Sequence, residues 1–306
     1  MKIGLQIDCF SWPGGDQAIG PTFAQVVRTA DEVGFDSIWV MDHFFQIRGV
    51  GRPEEPMLEG MTAMGFAAAL TKRAVLGLMV GGIHYREPAL WVKAVTTLDV
   101  LSGGRAWFGI GAGWNEEESR GLGFPFASLK ERFEWLEDTL RFAHAMWEGP
   151  RGSEAPFQGT HLVAGRPLNS PQALTRPHPP IIIGGGGEQK TLRLVAQYAD
   201  GCNIFGGPDN IRHKLAVLKE HCDNVGRDYT TIEKTNLAGL DVRVAGTSDT
   251  RPLSATELVD RMGSWADAGS QHTIFSLDRA ELARLELIGR DVIPQIRDLG
   301  SPSPIP

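Results

Sequence analysis

Ala106-Trp107-Phe108-Gly109-Ile110 runs into Gly111-Ala112-Gly113 and then into Trp114-Asn115-Glu116-Glu117-Glu118. The short apolar run reads as a buried strand. The glycines after it let backbone approach a ligand closely, because no Cβ intervenes and positive φ costs little. A buried strand that opens onto a polar, backbone-exposed loop is the unit from which parallel α/β proteins build their sites.

The neighbouring segments repeat that unit. Upstream, Pro88 suits the first turn of a helix that carries Leu90, Ala94, Leu98 and Leu101 on one face and stops at Gly103-Gly104. Downstream, Ser128 and Glu131 have capping-box spacing, and Phe133, Leu136, Leu140, Ala143 and Trp147 follow at helical intervals. Toward the N-terminus, Lys2 to Ile7 reads as a strand. Thr22 and Gln25 then open a helix whose stripe of Phe23, Val26, Val27, Ala30 and Val33 ends at Gly34. Ser37 to Met41 is the second strand, Gly60 to Leu70 a helix, and Val75 to Val80 the third strand. Residues 149–180 are irregular and rich in Pro and Gly, an insertion rather than a linker, because a βα unit resumes directly. Pro180 to Ile183, Gly201 to Phe205, Leu237 to Val244 and His272 to Leu277 read as the remaining strands. Helices are expected over Glu188 to Tyr198, Asp209 to Val225, Ala255 to Ala268 and Arg279 to Leu299. Eight strands alternating with eight helices predict a (β/α)8 TIM barrel, one domain spanning residues 1–306.

Composition narrows the function. A chain of 306 residues, 42% of them apolar, can bury a large core. The net charge of −7 and the lack of any Lys/Arg block argue against a nucleic-acid partner. Cys9, Cys202 and Cys222 are scattered, with no CxxC spacing, so neither a disulfide framework nor a structural zinc is expected and a cytoplasmic location fits. No window reaches the roughly 18 apolar residues of a membrane helix, so no membrane partner is expected. HExxH, GxSxG and carboxylate pairs at metal spacing are missing from the sequence, which leaves metal-dependent hydrolysis and serine nucleophiles without support and predicts no metal site.

In a barrel the C-terminal strand ends converge, and four sets of residues fall there. Asp42-His43 follows the second strand; a histidine there can move a proton or simply satisfy a neighbouring loop. The Met79 to His84 turn places Gly81-Gly82 where backbone can face a flat ligand, with His84 and Tyr85 flanking it; a ligand-free barrel corner is the structural alternative. Trp114 can wall a pocket and Asn115 can hydrogen-bond a cofactor, whereas at least two of Glu116, Glu117 and Glu118 read as carboxylates complementing a helix start. Gly184-Gly185-Gly186-Gly187, with Lys190 and Thr191 one turn on, presents free N–H groups to an anion. These residues alone point to a barrel that binds a phosphorylated, partly flat molecule.

The chain resembles the luciferase-like flavin and deazaflavin oxidoreductases, most closely the subgroup that uses coenzyme F420, an 8-hydroxy-5-deazaflavin. The likeness covers nearly the whole chain. It rests on Ala30 to Phe44, Tyr85-Arg86-Glu87-Pro88, Leu101 to Arg105, Gly109 to Glu118, Ile183 to Gly187 and Tyr198-Ala199-Asp200-Gly201. It implies a luciferase-like barrel with a short insertion region, commonly a homodimer, that transfers a hydride between C5 of F420 and a small-molecule substrate. It implies a cis peptide at Met79-Val80, in a bulge that with Gly81 lies against the cofactor ring. It also implies cofactor contacts at Asp42, Ala112, Gly113, Trp114, Asn115 and Gly184 to Gly187, with His43 as the proton donor or acceptor and His84, Tyr85 and Trp114 shaping the substrate pocket. The sugar-phosphate dehydrogenase of that family has a carboxylic acid directly after the glycine matching Gly113, where Trp114 stands here, and its aromatic after the histidine is replaced at Gln46-Ile47. A less polar substrate is therefore expected. The alternatives are an FMN-dependent monooxygenase and a non-catalytic deazaflavin-binding protein.

Overall fold

A computed structural model describes residues 1–240, 253–277 and 281–299. Strand and helix alternate along the chain in the order β1 (Lys2–Ile7), α1 (Asp16–Val33), β2 (Ser37–Val40), α2 (Gly60–Leu70), β3 (Val75–Leu78), β4 (Gly81–Gly82), α3 (Pro88–Ser102), β5 (Phe108–Gly111), α4 (Glu116–Leu122) and α5 (Leu129–Trp147). The short hairpin β6 (Phe157–Gln158) and β7 (Val163–Ala164) occupies the insertion. The chain then continues through β8 (Ile181–Gly184), α6 (Thr191–Tyr198), β9 (Gly201–Phe205), α7 (Pro208–Val225), β10 (Glu233–Leu240), α8 (Ala255–Asp267), β11 (His272–Leu277), α9 (Leu282–Leu287) and α10 (Ile293–Ile296).

The main sheet runs β3-β2-β1-β11-β10-β9-β8-β5-β4, all parallel. Its two ends are halves of one strand. The peptide Met79-Val80 between β3 and β4 is cis, β3 pairs with β2, β4 pairs with β5, and a bridge from Leu76 to Ala106 closes the ring. The nine segments are therefore the eight staves of a (β/α)8 barrel, as the alternation predicts.

Side-chain parity sorts the barrel into layers. Outward residues such as Ile3, Ile38, Val40, Phe275 and Ile204 join the helices in one large buried core. Inward residues form a small plug of Trp39, Met79, Ile182 and Ile274, with Val80, Trp107 and Leu237 packed on it. Below the plug, at the N-terminal strand ends, the interior is polar: Ser37, Glu233 and His272 hydrogen-bond to one another. Above it the staves open into a cavity.

Several boundaries differ from expectation. α1 begins at Asp16, six residues before Thr22, and runs through Pro21; a proline lacks the N–H for the helix ladder, so the sequence reads as though the helix starts after it. α6 begins at Thr191 rather than Glu188, because the Glu188 carboxylate is drawn to Lys214 and His213. β10 begins at Glu233, four residues before Leu237. Residues 241–244 of the expected strand lie outside the described residues, as does Arg279 at the start of the last expected helix. That helix is broken into α9, a π segment over Ile288–Val292 and α10. Both predicted bounds of α2 and the Ser128–Glu131 capping box are found as read. Among the described residues no helix is long and apolar enough to cross a membrane.

Candidate active site

The C-terminal strand ends enclose a cavity of about 540 Å³. β1 contributes Gln6 and Asp8, the β2 end Asp42 and His43, the third stave Met79 to Gly82, the β5 end Gly111 to Trp114, β8 Gly184 and Gly185, and β9 Asn203 and Phe205. Gln6 Nε2 donates to the Met79 carbonyl at 2.9 Å, which fixes the carbonyl of the cis peptide. Ser276 Oγ donates to Asp8 across the β11–β1 seam.

His43 is the histidine on this cavity wall. Its Nδ1 contacts Glu118 Oε1 at 2.5 Å, and no hydrogen bond among the described residues reaches Nε2. Glu118 is fully buried and also accepts from Tyr85 Oη and from the backbone N–H groups of Phe44 (2.7 Å) and Phe45 (3.0 Å). Burial by itself would push the Glu118 carboxyl up, but the hydrogen bonds from His43 and Tyr85 and the Phe45 N–H outweigh it and hold the group below the usual carboxylate range. A carboxylate can only accept, so Nδ1 of His43 donates to Glu118, and Nε2 is the ring nitrogen left over on a side chain that lines the cavity. The Tyr85 hydroxyl is held above the usual phenol range, first by burial and then by its bond to Glu118, so it stays a donor. Trp114 packs edge-on against His43, with ring centroids 5.3 Å apart.

Glu118 is the functional residue that sequence reading passes over. Glu116, Glu117 and Glu118 are the first three residues of α4, and helical geometry turns successive side chains by about 100°. Glu116 and Glu117 face solvent and pair with Arg120 and Arg48, while Glu118 turns inward. The signal was the position of the triplet beside a strand end, where one of three consecutive side chains must face the barrel.

Asp42 lines the cavity but its oxygens are committed. Both accept from Arg86, at 2.6 and 2.8 Å, and Oδ2 also accepts from Gly82 N–H at 3.2 Å. Arg86 bridges to Glu59, whose carboxyl is lowered to about 2: Thr62 and Arg86 overcome the upward push of burial. Asp42 thereby anchors β4 and the entry to α3, and its contact with the cavity is as part of that frame.

His84 does not lie in the mouth. Its imidazole sits behind the turn, where a Cβ on Gly113 would come within 2.2 Å of the ring and one on Gly82 within 3.0 Å. It lines a second cavity of about 450 Å³ with Phe124, Trp135 and Thr139, and Tyr85 borders both cavities. Burial, helped by Arg132, lowers His84 to about 4, so its ring is neutral at neutral pH. Neither ring nitrogen has a hydrogen-bond partner among the described residues. His84 is thus not among the residues that line the mouth cavity; it lines the neighbouring one, with Tyr85 common to both. Asn115 caps the start of α4 and faces a separate small cleft beside Arg48 and Glu117. Gly186 and Gly187 lie beyond the cavity wall, toward Lys214 and Thr191.

Asn203 is a second residue that the sequence did not single out. The Thr235 hydroxyl spends its only hydrogen on the Cys202 carbonyl at 2.9 Å, so it must accept from Asn203 Nδ2 at 2.8 Å. That fixes the amide and leaves Oδ1 as a buried acceptor without a partner among the described residues, on a side chain that lines the cavity. An N–H at the edge of a flat heterocycle would satisfy it. Across the cavity, a Cβ on Gly184 would meet Val80 Cγ2 at 2.7 Å, so the narrow wall between the third stave and β8 requires glycine. An orphan acceptor, a flat backbone wall and the glycine turn fit a flavin-type ring with an anionic tail.

A solved F420-dependent secondary alcohol dehydrogenase, in complex with an F420–acetone adduct, superposes with a TM-score of 0.82 at 18% identity, covering 97% of this chain and 99% of that one. At that identity the likeness concerns the fold. An F420-dependent glucose-6-phosphate dehydrogenase of Nakamurella multipartita is 25% identical over 95% of this chain and 97% of its own. An uncharacterized protein of Mycobacterium tuberculosis is 26% identical over 84% of this chain and 88% of its own. The family model described as luciferase-like monooxygenase matches residues 1–249, and with the barrel, the cis-peptide stave and the glycine-lined mouth in agreement, the chain belongs to the luciferase-like monooxygenase family.

Proposed function

We propose that this protein is an oxidoreductase that transfers a hydride between C5 of coenzyme F420 and a small organic substrate, with His43 exchanging the accompanying proton. One observation carries the reading: His43 lines the mouth cavity while its Nδ1 is held by buried Glu118, which leaves Nε2 as the ring nitrogen for a substrate proton. A base whose orientation is set by a buried carboxylate needs no rearrangement to take a proton. The names of the sequence relatives support F420 as the cofactor.

When bound, the deazaflavin supplies a two-electron hydride carrier that does not pass single electrons to oxygen. The chain's own residues bind, orient and move the proton. Met79, Val80 and Gly81 form one wall of the slot and Gly111 to Gly113 another. Asn203 Oδ1 would accept from a ring N–H. Gly184 to Gly187, flanked by Lys190 over the Phe133 ring and by Lys214, would take the anionic tail. His43 accepts the substrate proton at Nε2 during oxidation and returns it during reduction. The Glu118 carboxylate stabilises the charged ring in between.

Fluorescence titration of the purified protein with F420 and with FMN tests the assignment. Tight binding of F420 with weak binding of FMN is expected. Tight FMN binding with no F420 binding would replace the reading by the flavin monooxygenase one. Binding of F420 without turnover of any alcohol, aldehyde or enone would leave a carrier protein.

A further inference from the structure

Beside the mouth lies the second cavity, of about 450 Å³, and Tyr85 is the lining residue that the two share. Three segments build it. Trp135, Asp138 and Thr139 stand at i, i+3 and i+4 of α5 and so share one helix face. His84, Tyr85 and Arg86 come from the link between β4 and α3. The insertion supplies the third side: Asp138 accepts from the backbone N–H groups of His161 (2.6 Å) and Leu162 (3.2 Å), which pins the loop between β6 and β7 against α5.

Two buried polar side chains on this lining make no hydrogen bond among the described residues. Thr139 is fully buried, and its Oγ1 has no partner. A helical threonine can return its hydroxyl to the carbonyl four residues back, as Thr96 does to Val92 and Thr97 to Lys93, each at 2.8 Å. Thr139 does not. His84 is 4% exposed, and neither ring nitrogen is bonded. Every other histidine of the chain has a hydrogen bond. A buried polar group left unpaired costs stability, and here two of them line one cavity.

Charge and shape narrow what would satisfy them. Both terminal nitrogens of Arg86 are engaged, by Asp42 and Glu59, and Asp138 is spent on the hairpin loop. Burial, with Arg132 nearby, keeps the His84 ring neutral at neutral pH. A neutral imidazole and a hydroxyl can each donate and accept, so a complementary molecule carries both a donor and an acceptor and no net charge. The rings of His84, Tyr85, Phe124 and Trp135 suit a flat aromatic body. A cavity of roughly 150 Å³ holds one benzene, so this one has room for two fused rings.

We infer that the second cavity is a binding site for an uncharged two-ring aromatic molecule that bears both a hydrogen-bond donor and an acceptor, such as a cyclic amide, held by His84 and Thr139. The site stands whichever cofactor the mouth takes.

The test is calorimetric titration of the protein with 2-quinolinone, naphthalene and 2-naphthoate, repeated in Thr139→Val and His84→Phe. Neither residue lines the mouth, so lost affinity in these variants locates the binding. 2-Quinolinone should bind on the order of tenfold more tightly than naphthalene, and 2-naphthoate more weakly than either. Each substitution should weaken 2-quinolinone about two- to tenfold and leave naphthalene unchanged. Thr139→Val keeps the side-chain shape and removes an unpaired hydroxyl, so its urea midpoint should equal or exceed that of the wild type. No binding of 2-quinolinone, naphthalene binding equally well, preference for 2-naphthoate, or affinities unaltered in Thr139→Val would each overturn the inference.

Discussion

The barrel holds two histidine–glutamate pairs, one at each end, and they are built from the same parts for opposite ends. At the bottom, His272 Nδ1 donates to Glu233 Oε1 at 3.0 Å while Nε2 accepts from the Ser37 hydroxyl at 2.9 Å; Ser37 Oγ in turn accepts from Trp39 Nε1 at 2.6 Å. At the mouth, His43 Nδ1 is bound to Glu118 in the same way, but Nε2 is left over on a side chain that lines the cavity. Both carboxylates fix the same tautomer. The bottom trio even has the connectivity of a serine–histidine–acid relay, yet Ser37 is fully buried and nothing can reach it. Whether such a pair does chemistry depends on the partner of the second ring nitrogen, not on the residue types.

The comparison breaks most visibly on paired alanine substitutions. His43→Ala should lower kcat by roughly 10²- to 10⁴-fold, the usual contribution of a positioned acid–base group, with F420 affinity close to wild type and a modest loss of stability, because Glu118 keeps three of its four donors. His272→Ala should do the reverse. It removes one of the two partners of Glu233, leaving Lys2, and takes the acceptor from the Ser37 hydroxyl, and should cost roughly 1–3 kcal/mol of stability, while the folded fraction keeps its kcat. Steady-state kinetics beside urea unfolding reads both. A stable His43→Ala protein with full activity would remove His43 from the mechanism.

Acid titration sharpens the contrast between sealed and open groups. Glu233 is lowered from 4.5 to about 2: His272 and Lys2 overcome the upward push of burial. Its folded value lies below its unfolded one, so its contribution is present above about pH 4.3 and is lost as the pH falls toward about 2. That contribution is on the order of 3 kcal/mol. His84 acts earlier. Its folded value of about 4 lies below the ordinary imidazole value of 6.5, so the unfolded chain takes up the proton first and stability declines as the pH drops from about 6.5 to about 4. Urea unfolding across this range should show two declining windows, the upper removed by His84→Asn and the lower reduced by Glu233→Gln. A single window unaffected by either substitution would contradict both assignments.

A smaller effect is expected where His84 meets the glycine turn. Gly113 has φ of 71°, and its Cβ position is filled by the His84 ring. Gly113→Ala should cost roughly 2 kcal/mol or more through left-handed backbone and overpacking together. Adding His84→Ala should recover the packing part only, so the two substitutions should be non-additive in thermal or urea unfolding. Simple additivity would mean that the ring and the turn do not touch.

These sites show what a sequence discloses. Barrel, glycine turns and helix signals such as the Ser128–Glu131 box are local patterns, and the stretch from Ala106 to Glu118 reads correctly as strand, turn and helix start. The lower half of β10 was missed because Glu233, Lys234, Thr235 and Asn236 look like a polar loop. Lys234, Thr235 and Asn236 are buried and Glu233 half-buried, in a strand whose polarity is met by Gln271, Tyr229, Cys202 and Thr273, residues distant or unremarkable in sequence. Sequence order places His84 on the loop but not on a face of it, and its ring lines the second cavity. Glu118 contacts residues 33 to 75 positions away, and no local pattern announces that.

Glu116 offers the finest test, because it differs from Glu118 only by about half a turn of the helix. Its carboxylate pairs with Arg120 at 2.6 Å, both side chains largely in solvent. An exposed pair of this kind is worth little after screening and side-chain entropy. Glu116→Ala should therefore move the unfolding free energy by no more than about 0.5 kcal/mol and leave kcat within twofold or so of wild type. Glu118→Gln, two residues on, removes the charge that four donors converge upon and should lower both kcat and stability. If the two substitutions behaved alike, the buried carboxylate would be holding a loop rather than a base, and the distinction between the open and sealed histidines would lose its cause.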